Sequence, residues 1–286
     1  MMSLDKPSSI HRLCLAFLIV VMAGGCDPAR KPPATLMLSA ATTAPTTNPY
    51  LLHLPGIAGE KTIDRRFVAG IQDGGFHGPI DVYDWTEHDP GIAALLGYQR
   101  NHKEAKLIAD RLAQRRATHP NEKIYLTSHS GGGALAVWAL QDLPPGVTIN
   151  TLVMMSPALS PDYDLTAALK HVSGHAYVFS SLADLLVLGT GTRLLGTMDG
   201  VKTDAAGRVG FTRPPTGDPA QYKKLIAMPY DPAWMKYGDM ADHIGGMTRP
   251  FAENIIAPLI LQGKMPAVEL PTTTQTPTGL GRELPR

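Results

Sequence analysis

The sequence predicts an α/β fold: a mostly parallel central sheet with helices on both faces. Three observations lead there. Short apolar runs alternate with longer segments whose apolar residues recur at helical spacing, and strands alternating with helices make parallel sheets. The first such run, Tyr50-Leu-Leu-His-Leu54, reads as a buried strand and ends in Pro55-Gly56-Ile57-Ala58-Gly59. A later run, residues 124–127, passes through Ser-His-Ser and three glycines straight into a helical pattern. That reads as strand, tight turn and helix.

The elements follow in order. Residues 60–71 place Ile63, Phe67, Val68 and Ile71 at helical spacing. Residues 79–85 read as a second strand, with Ile80, Val82 and Tyr83. Residues 101–118 form an amphipathic helix: Ala105, Leu107, Ile108 and Leu112 oppose Lys103, Glu104, Arg111 and Arg115. Pro120-Asn121 stops it, and the strand 123–127 leads to the turn. A helix over 131–143 closes at Pro144-Pro145-Gly146. Strands are expected at 148–155 and 175–180, with a weaker one at 222–228. A helix over 250–263 closes the domain, with Pro258 expected to kink or interrupt it.

The centre of the chain is Ser128-His129-Ser130-Gly131-Gly132, a G-x-S-x-G-like elbow with serine in place of the first glycine. In such a turn the nucleophile adopts a strained backbone conformation, so its neighbours must be small. The turn lifts the hydroxyl above the sheet and points the next helix's N-terminus at it. That end offers partial positive charge and free N–H groups to an oxyanion. Ser130 is the expected nucleophile; Ser128 would serve only in a shifted elbow, with Ser130 where the second glycine belongs. His129 is expected to pack or hydrogen-bond beneath the turn.

With the nucleophile on a strand-to-helix turn, residues 50–261 resemble the α/β-hydrolase fold, in the manner of serine esterases and lipases. The resemblance implies a triad in the chain order Ser, Asp or Glu, His. Only His171, His175 and His243 follow Ser130. The first two precede a strand and so belong at the far end of the sheet. His243, in Gly238-Asp-Met-Ala-Asp-His-Ile-Gly-Gly246, matches the family's base. Asp184, just past Val178-Phe-Ser-Ser181, matches the acid. Asp162 and Asp164 follow the preceding strand and are alternatives, and Asp184 would also suit a helix cap. Asp239 and Asp242 are expected to shape the loop of His243. By similarity, the oxyanion donors are the backbone N–H groups of Gly131 and Ile57. These residues imply two-step acyl transfer on an ester, with small-molecule or lipid acyl esters as partners.

Residues 185–222 carry Leu188-Gly-Thr-Gly-Thr-Arg193 and further glycines, and are expected either to arch over the site as a lid or wall or to run as a surface excursion. Gly189-Thr-Gly191 lacks the lysine and setting of a phosphate loop. No His/Cys/carboxylate spacing suggests a metal, and no cofactor is implied.

The chain of 286 residues is 44 % hydrophobic and 18 % charged, with net charge +1. That suits a globular core and leaves no basic surplus for nucleic acid. Both cysteines, Cys14 and Cys26, lie in the first thirty residues, so neither a disulfide framework nor a cysteine metal site is available to the folded part. Residues 1–25 read as a signal peptide: Lys6 and Arg12 precede a short apolar core at 13–23. Ala23-Gly24-Gly25-Cys26 resembles a bacterial lipoprotein box, with Ala23 where leucine is usual. The resemblance implies export to the cell envelope and a lipid anchor on Cys26 that holds the protein to a membrane. Residues 26–48 read as a Pro/Thr/Ala-rich disordered tether, 49–264 as the hydrolase domain and 265–286 as a disordered tail. The leading expectation is an exported carboxylesterase or lipase-like serine hydrolase. The alternatives are an acyltransferase with the same triad and a non-catalytic binding lipoprotein on the same fold.

Overall fold

The computed structural model describes residues 48–86, 89–184 and 186–263. The predicted leader, the Cys26 box, the tether up to residue 47 and the tail lie outside the described residues. The elements are β1 (Tyr50–Leu54), α1 (Thr62–Asp73), β2 (Ile80–Val82), α2 (Ile92–Leu96), α3 (Tyr98–Thr118), β3 (Ile124–His129), α4 (Gly131–Gln141), β4 (Thr151–Met155), α5 (Thr166–Lys170) and β5 (Ala176–Ser180). A π-helical turn (Leu186–Gly191), α6 (Thr192–Leu195), α7 (Ala206–Val209) and α8 (Pro219–Tyr222) then precede β6 (Leu225–Pro229). The chain closes with α9 (Arg249–Phe251), a π-helical turn (Ala252–Ile256) and α10 (Ala257–Gln262).

The six strands form one sheet in the order β2-β1-β3-β4-β5-β6, every neighbouring pair parallel. With its helices on both faces this is the α/β-hydrolase arrangement. Side chains alternate across it with the strand period of two. Leu52, Leu54, Ile124, Leu126, Leu152, Met154 and Val178 join one core with α3 and α4. Leu51, Tyr125, Val153, Met155, Tyr177 and Phe179 join the other with α1 and the closing helix. Burial on both faces explains why these strands read as nearly continuous apolar runs.

The sheet reverses its order between β1 and β3. From β1 the chain steps outward to β2, then returns past β1 to β3 and continues the other way. Such a switch point leaves a crevice beyond the C-terminal strand ends, where ligands bind in open parallel sheets. Ser130 immediately follows β3 and Ile57 follows β1, so both residues stand at that crevice.

Several predicted boundaries shift. The second strand pairs only over Ile80–Val82, and α3 starts three residues earlier than the charge pattern indicated. Near Pro258 the regular α-helix is interrupted, as expected: the turn before it, Ala252–Ile256, is π-helical, and α10 starts at Ala257. The closing helix packs closely on α1, because a Cβ at Gly70 would run into the Arg249 carbonyl.

Candidate active site

Ser130 has φ 52 and ψ −121, a left-handed conformation that L residues rarely adopt. The surrounding bonds over-determine it. Its N–H donates to the Met155 carbonyl at 2.9 Å, and its own carbonyl accepts from Gly133 at 3.0 Å and Ala158 at 3.1 Å. Strain of this kind costs on the order of 1–3 kcal/mol and persists only under such restraint.

The three following glycines each answer a different neighbour. A Cβ at Gly132 would lie 2.5 Å from the carbonyl oxygens of both Leu54 and Pro55. At Gly133 it would meet Pro157 at 2.8 Å, and at Gly131 it would meet Ile57 Cγ2 at 2.6 Å. The glycines thus let α4 start against the loop after β1. Ser128, the alternative in a shifted elbow, is fully buried, and its hydroxyl donates to the Val153 carbonyl at 3.4 Å.

His243 and Asp184 meet although 59 residues separate them: His243 Nδ1 lies 2.6 Å from Asp184 Oδ2. Asp184 Oδ1 also accepts from the Leu188 N–H at 3.2 Å, so this carboxylate both contacts the histidine and caps the turn after it. Its side chain is 1 % exposed, against 15 % for His243. The other carboxylates lie elsewhere or act locally. Asp164 accepts from Thr166 and Thr216 on the surface. Asp239 accepts from the Ala241 N–H and Asp242 from the Ile244 N–H, so both fold the loop that carries His243. Burial, then the neighbouring Asp242 charge, raises the pKa of Asp239. His171 donates to the Val147 carbonyl, and His175 precedes β5 at the opposite end of the sheet.

The loops around Ser130 are tied to one another. Ser181 Oγ donates to the Ala241 carbonyl at 2.7 Å, joining the Asp184 loop to the His243 loop. His129 joins the elbow to the same loop: its Nε2–H donates to the His243 carbonyl at 3.0 Å, and the two rings lie 4.9 Å apart. The loop after β1 is held by the Trp85 indole N–H, which donates to Pro55, and by Asp84, which accepts from the Glu60 N–H. The Ile57 carbonyl accepts from Gly91. Neither the Ile57 nor the Gly131 N–H meets an acceptor among the described residues, and nor does the Ser130 hydroxyl.

Residues 186–222 form a wall rather than a surface excursion. Met198 Sδ and Trp85 Cζ2 stand 3.3 Å from where a Cβ of Gly131 would lie. Main-chain bonds from Met198 to Ala158, Ala206 to Leu159 and Gly207 to Pro157 sew the segment to the loop after β4. Asp199 adds bonds from the Ser160 N–H and hydroxyl. A small cavity lined by Met155, Ser156, Trp234 and Asp239 lies behind the His243 loop and does not include Ser130.

Asp84, the places of Trp85 and Met198 beside the elbow, and the partner of the His129 ring escaped the sequence reading. His129 stands inside the recognised motif, but the partner of its ring is 114 residues away. Asp84 carries no local pattern at all. Among the described residues no group of three or more His, Cys, Asp or Glu could hold a metal.

No family model matches the sequence, and no curated protein matches it. Solved structures that it resembles include an acetylxylan esterase, at 10 % identity over 76 % of this chain and 98 % of that one, with a TM-score of 0.44. Others are Est1E from Butyrivibrio proteoclasticus (13 %, 73 % and 87 %, TM-score 0.40) and a Trichoderma reesei cutinase in complex with a phosphonate inhibitor (13 %, 77 % and 77 %, TM-score 0.38). At these identities and TM-scores the likeness says nothing of activity.

Proposed function

We propose that this chain is a serine hydrolase that cleaves carboxylic esters through an acyl-enzyme on Ser130. The observation that supports the reading is that the loop of His243, itself paired with Asp184, is tied through the His129 ring to the residue next to the strained Ser130. With Nδ1–H held by Asp184, the lone pair of His243 Nε2 is left free as a base. His243 takes the proton as Ser130 Oγ attacks the ester carbonyl, then gives it to the departing alcohol. Water repeats the sequence and releases the acid. Asp184 keeps the tautomer and stabilises the imidazolium. The free N–H groups of Ile57 and Gly131 receive the oxyanion, each worth roughly 3 kcal/mol in the transition state. The serine–histidine bond forms as substrate binds, as is common at such sites.

Exposed Leu182, Met240 and Ile244 flank Asp184 and His243 and favour apolar esters. Export and a lipid anchor on Cys26 belong to the same reading, and they rest on the leader sequence alone. Among the described residues no helix is long and apolar enough to cross a membrane.

The test is labelling with a fluorophosphonate, beside Ser130→Ala. An adduct on the Ser130 peptide, absent from a folded variant, is expected. A folded wild type that never labels and cleaves no p-nitrophenyl ester would favour a binding protein. Turnover faster with an added alcohol than with water would favour the acyltransferase alternative.

A further inference from the structure

A histidine ring held at one edge can still swing about that bond. His243 lies in an irregular loop, residues 239–244; among the described residues its imidazole is hydrogen-bonded at Nδ1, by Asp184, and lies 4.9 Å from the His129 ring. The loop carries a left-handed Ala241 (φ 63) and is folded on itself by Asp239 and Asp242. The Ser181 hydroxyl holds it on the Asp184 side. On the Ser130 side the hydrogen bond that holds the His243 main chain, among the described residues, is at its carbonyl, which accepts from His129 Nε2.

We infer that His129 is a positioning residue, whose Nε2–H bond to the His243 carbonyl sets the distance between the base and the adjacent Ser130. The inference rests on the proposed function for its catalytic consequence, but the attachment itself is structural. His129 is the last residue of β3, so its backbone is fixed by the sheet, and the next residue is the nucleophile. One short side chain therefore references the base to the same strand end as the serine. On its other edge, Nδ1 faces Gly56, where an added Cβ would lie 3.1 Å away. The glycine before Ile57 is thus part of the same fit, since a side chain there would push the ring toward His243.

The carbonyl acceptor dictates the tautomer: Nε2 carries the proton and Nδ1 is bare. The groups that face the ring are His243, Asp64 and His53. Burial, then the charge of His243, lowers the pKa of His129 to about 4. It therefore stays a neutral donor while His243 gains and loses its proton.

The experiment compares His129→Leu, which keeps bulk without the donor, with His129→Gln, whose amide N–H reaches the Nε2 position. Two readouts are taken: kcat and KM on p-nitrophenyl butyrate, and the downfield proton resonance of His243 Nδ1–H. Misplacement by about 1 Å costs on the order of 100-fold. His129→Leu is expected to lose about 10–100-fold in kcat with KM within about 3-fold, and to broaden the resonance. His129→Gln should stay within about 3-fold of the wild type and keep it. Wild-type kcat and resonance in His129→Leu, or equal losses in both variants, would overturn the inference. If the leucine variant does not fold, His129→Asn replaces it, because its amide stops at the Nδ1 position. If the wild type proves inactive toward esters and fluorophosphonate, the proposed function fails, and the resonance still decides the positioning role.

Discussion

At the scale of single residues, the site depends on groups that must hold one protonation state. Asp184→Asn keeps the shape but favours the wrong His243 tautomer. It is expected to lower kcat by roughly 10³–10⁴-fold with the fold intact, read from ester turnover and a thermal melt. His243→Ala should cost a comparable amount, and should add little in a Ser130→Ala background, because such groups act as a unit. His129 carries a pH dependence of stability. Its pKa falls from 6.5 in the unfolded chain to about 4 when folded. Between those values the unfolded chain binds the proton and the folded chain does not, so stability declines as pH drops from about 6.5 to about 4. The full loss is on the order of 3 kcal/mol. Denaturant melts of the wild type and His129→Gln should diverge across that window, the variant showing the shallower slope; parallel curves would contradict the buried neutral histidine.

At the scale of elements, the elbow is a packing problem solved by three glycines. Gly132 is where the start of α4 meets the carbonyls that end β1, and backbone cannot step aside as a flexible side chain can. Gly132→Ala is expected to destabilise by about 1–3 kcal/mol and to impair fluorophosphonate labelling, because the helix start and the Ser130 backbone move together. An alanine variant with an unchanged denaturation midpoint and labelling rate would contradict this close approach. The end of the chain shows the opposite solution. There Pro258 is tolerated because the preceding turn widens, and Phe251, Ile255 and Ile256 stay in the core. Asp184 binds both the Leu188 N–H and His243, so the capping position and the histidine-pairing position that the sequence offers for it coincide.

At the scale of the whole molecule, the site is a joint among the loops at the strand ends and one long insertion. The insertion between β5 and β6 packs Met198 and Ala205 into the same core as α3 and α4. Local opening requires loss of buried contacts and of main-chain bonds, so amides so held exchange slowly. The amides of Met198, Ala206 and Gly207 are expected to show hydrogen-exchange protection close to that of β4 rather than that of a loop. Rapid exchange at all three would mean that the segment opens as a lid. Asp199→Ala removes the side chain that binds Ser160 and Thr197. It should raise KM more than it lowers kcat, because it loosens a wall without touching the reacting groups.

The local chain by itself determined the fold class, the strand–turn–helix at Ser130 and the three-glycine requirement there. Strand period, helix period and turn sterics act over a few residues, so their signals survive in the bare sequence. Chain order, read with the family resemblance, left His243 as the candidate base, because His171 and His175 precede a strand whereas His243 follows one. Tertiary structure decided which of Asp162, Asp164, Asp184, Asp239 and Asp242 meets that histidine. It also decided that residues 186–222 form a wall, and that His129 reaches the His243 carbonyl. Those pairings join residues 59 and 114 positions apart. They depend on the register of the whole sheet and on many small packing terms, and no short stretch of sequence carries them.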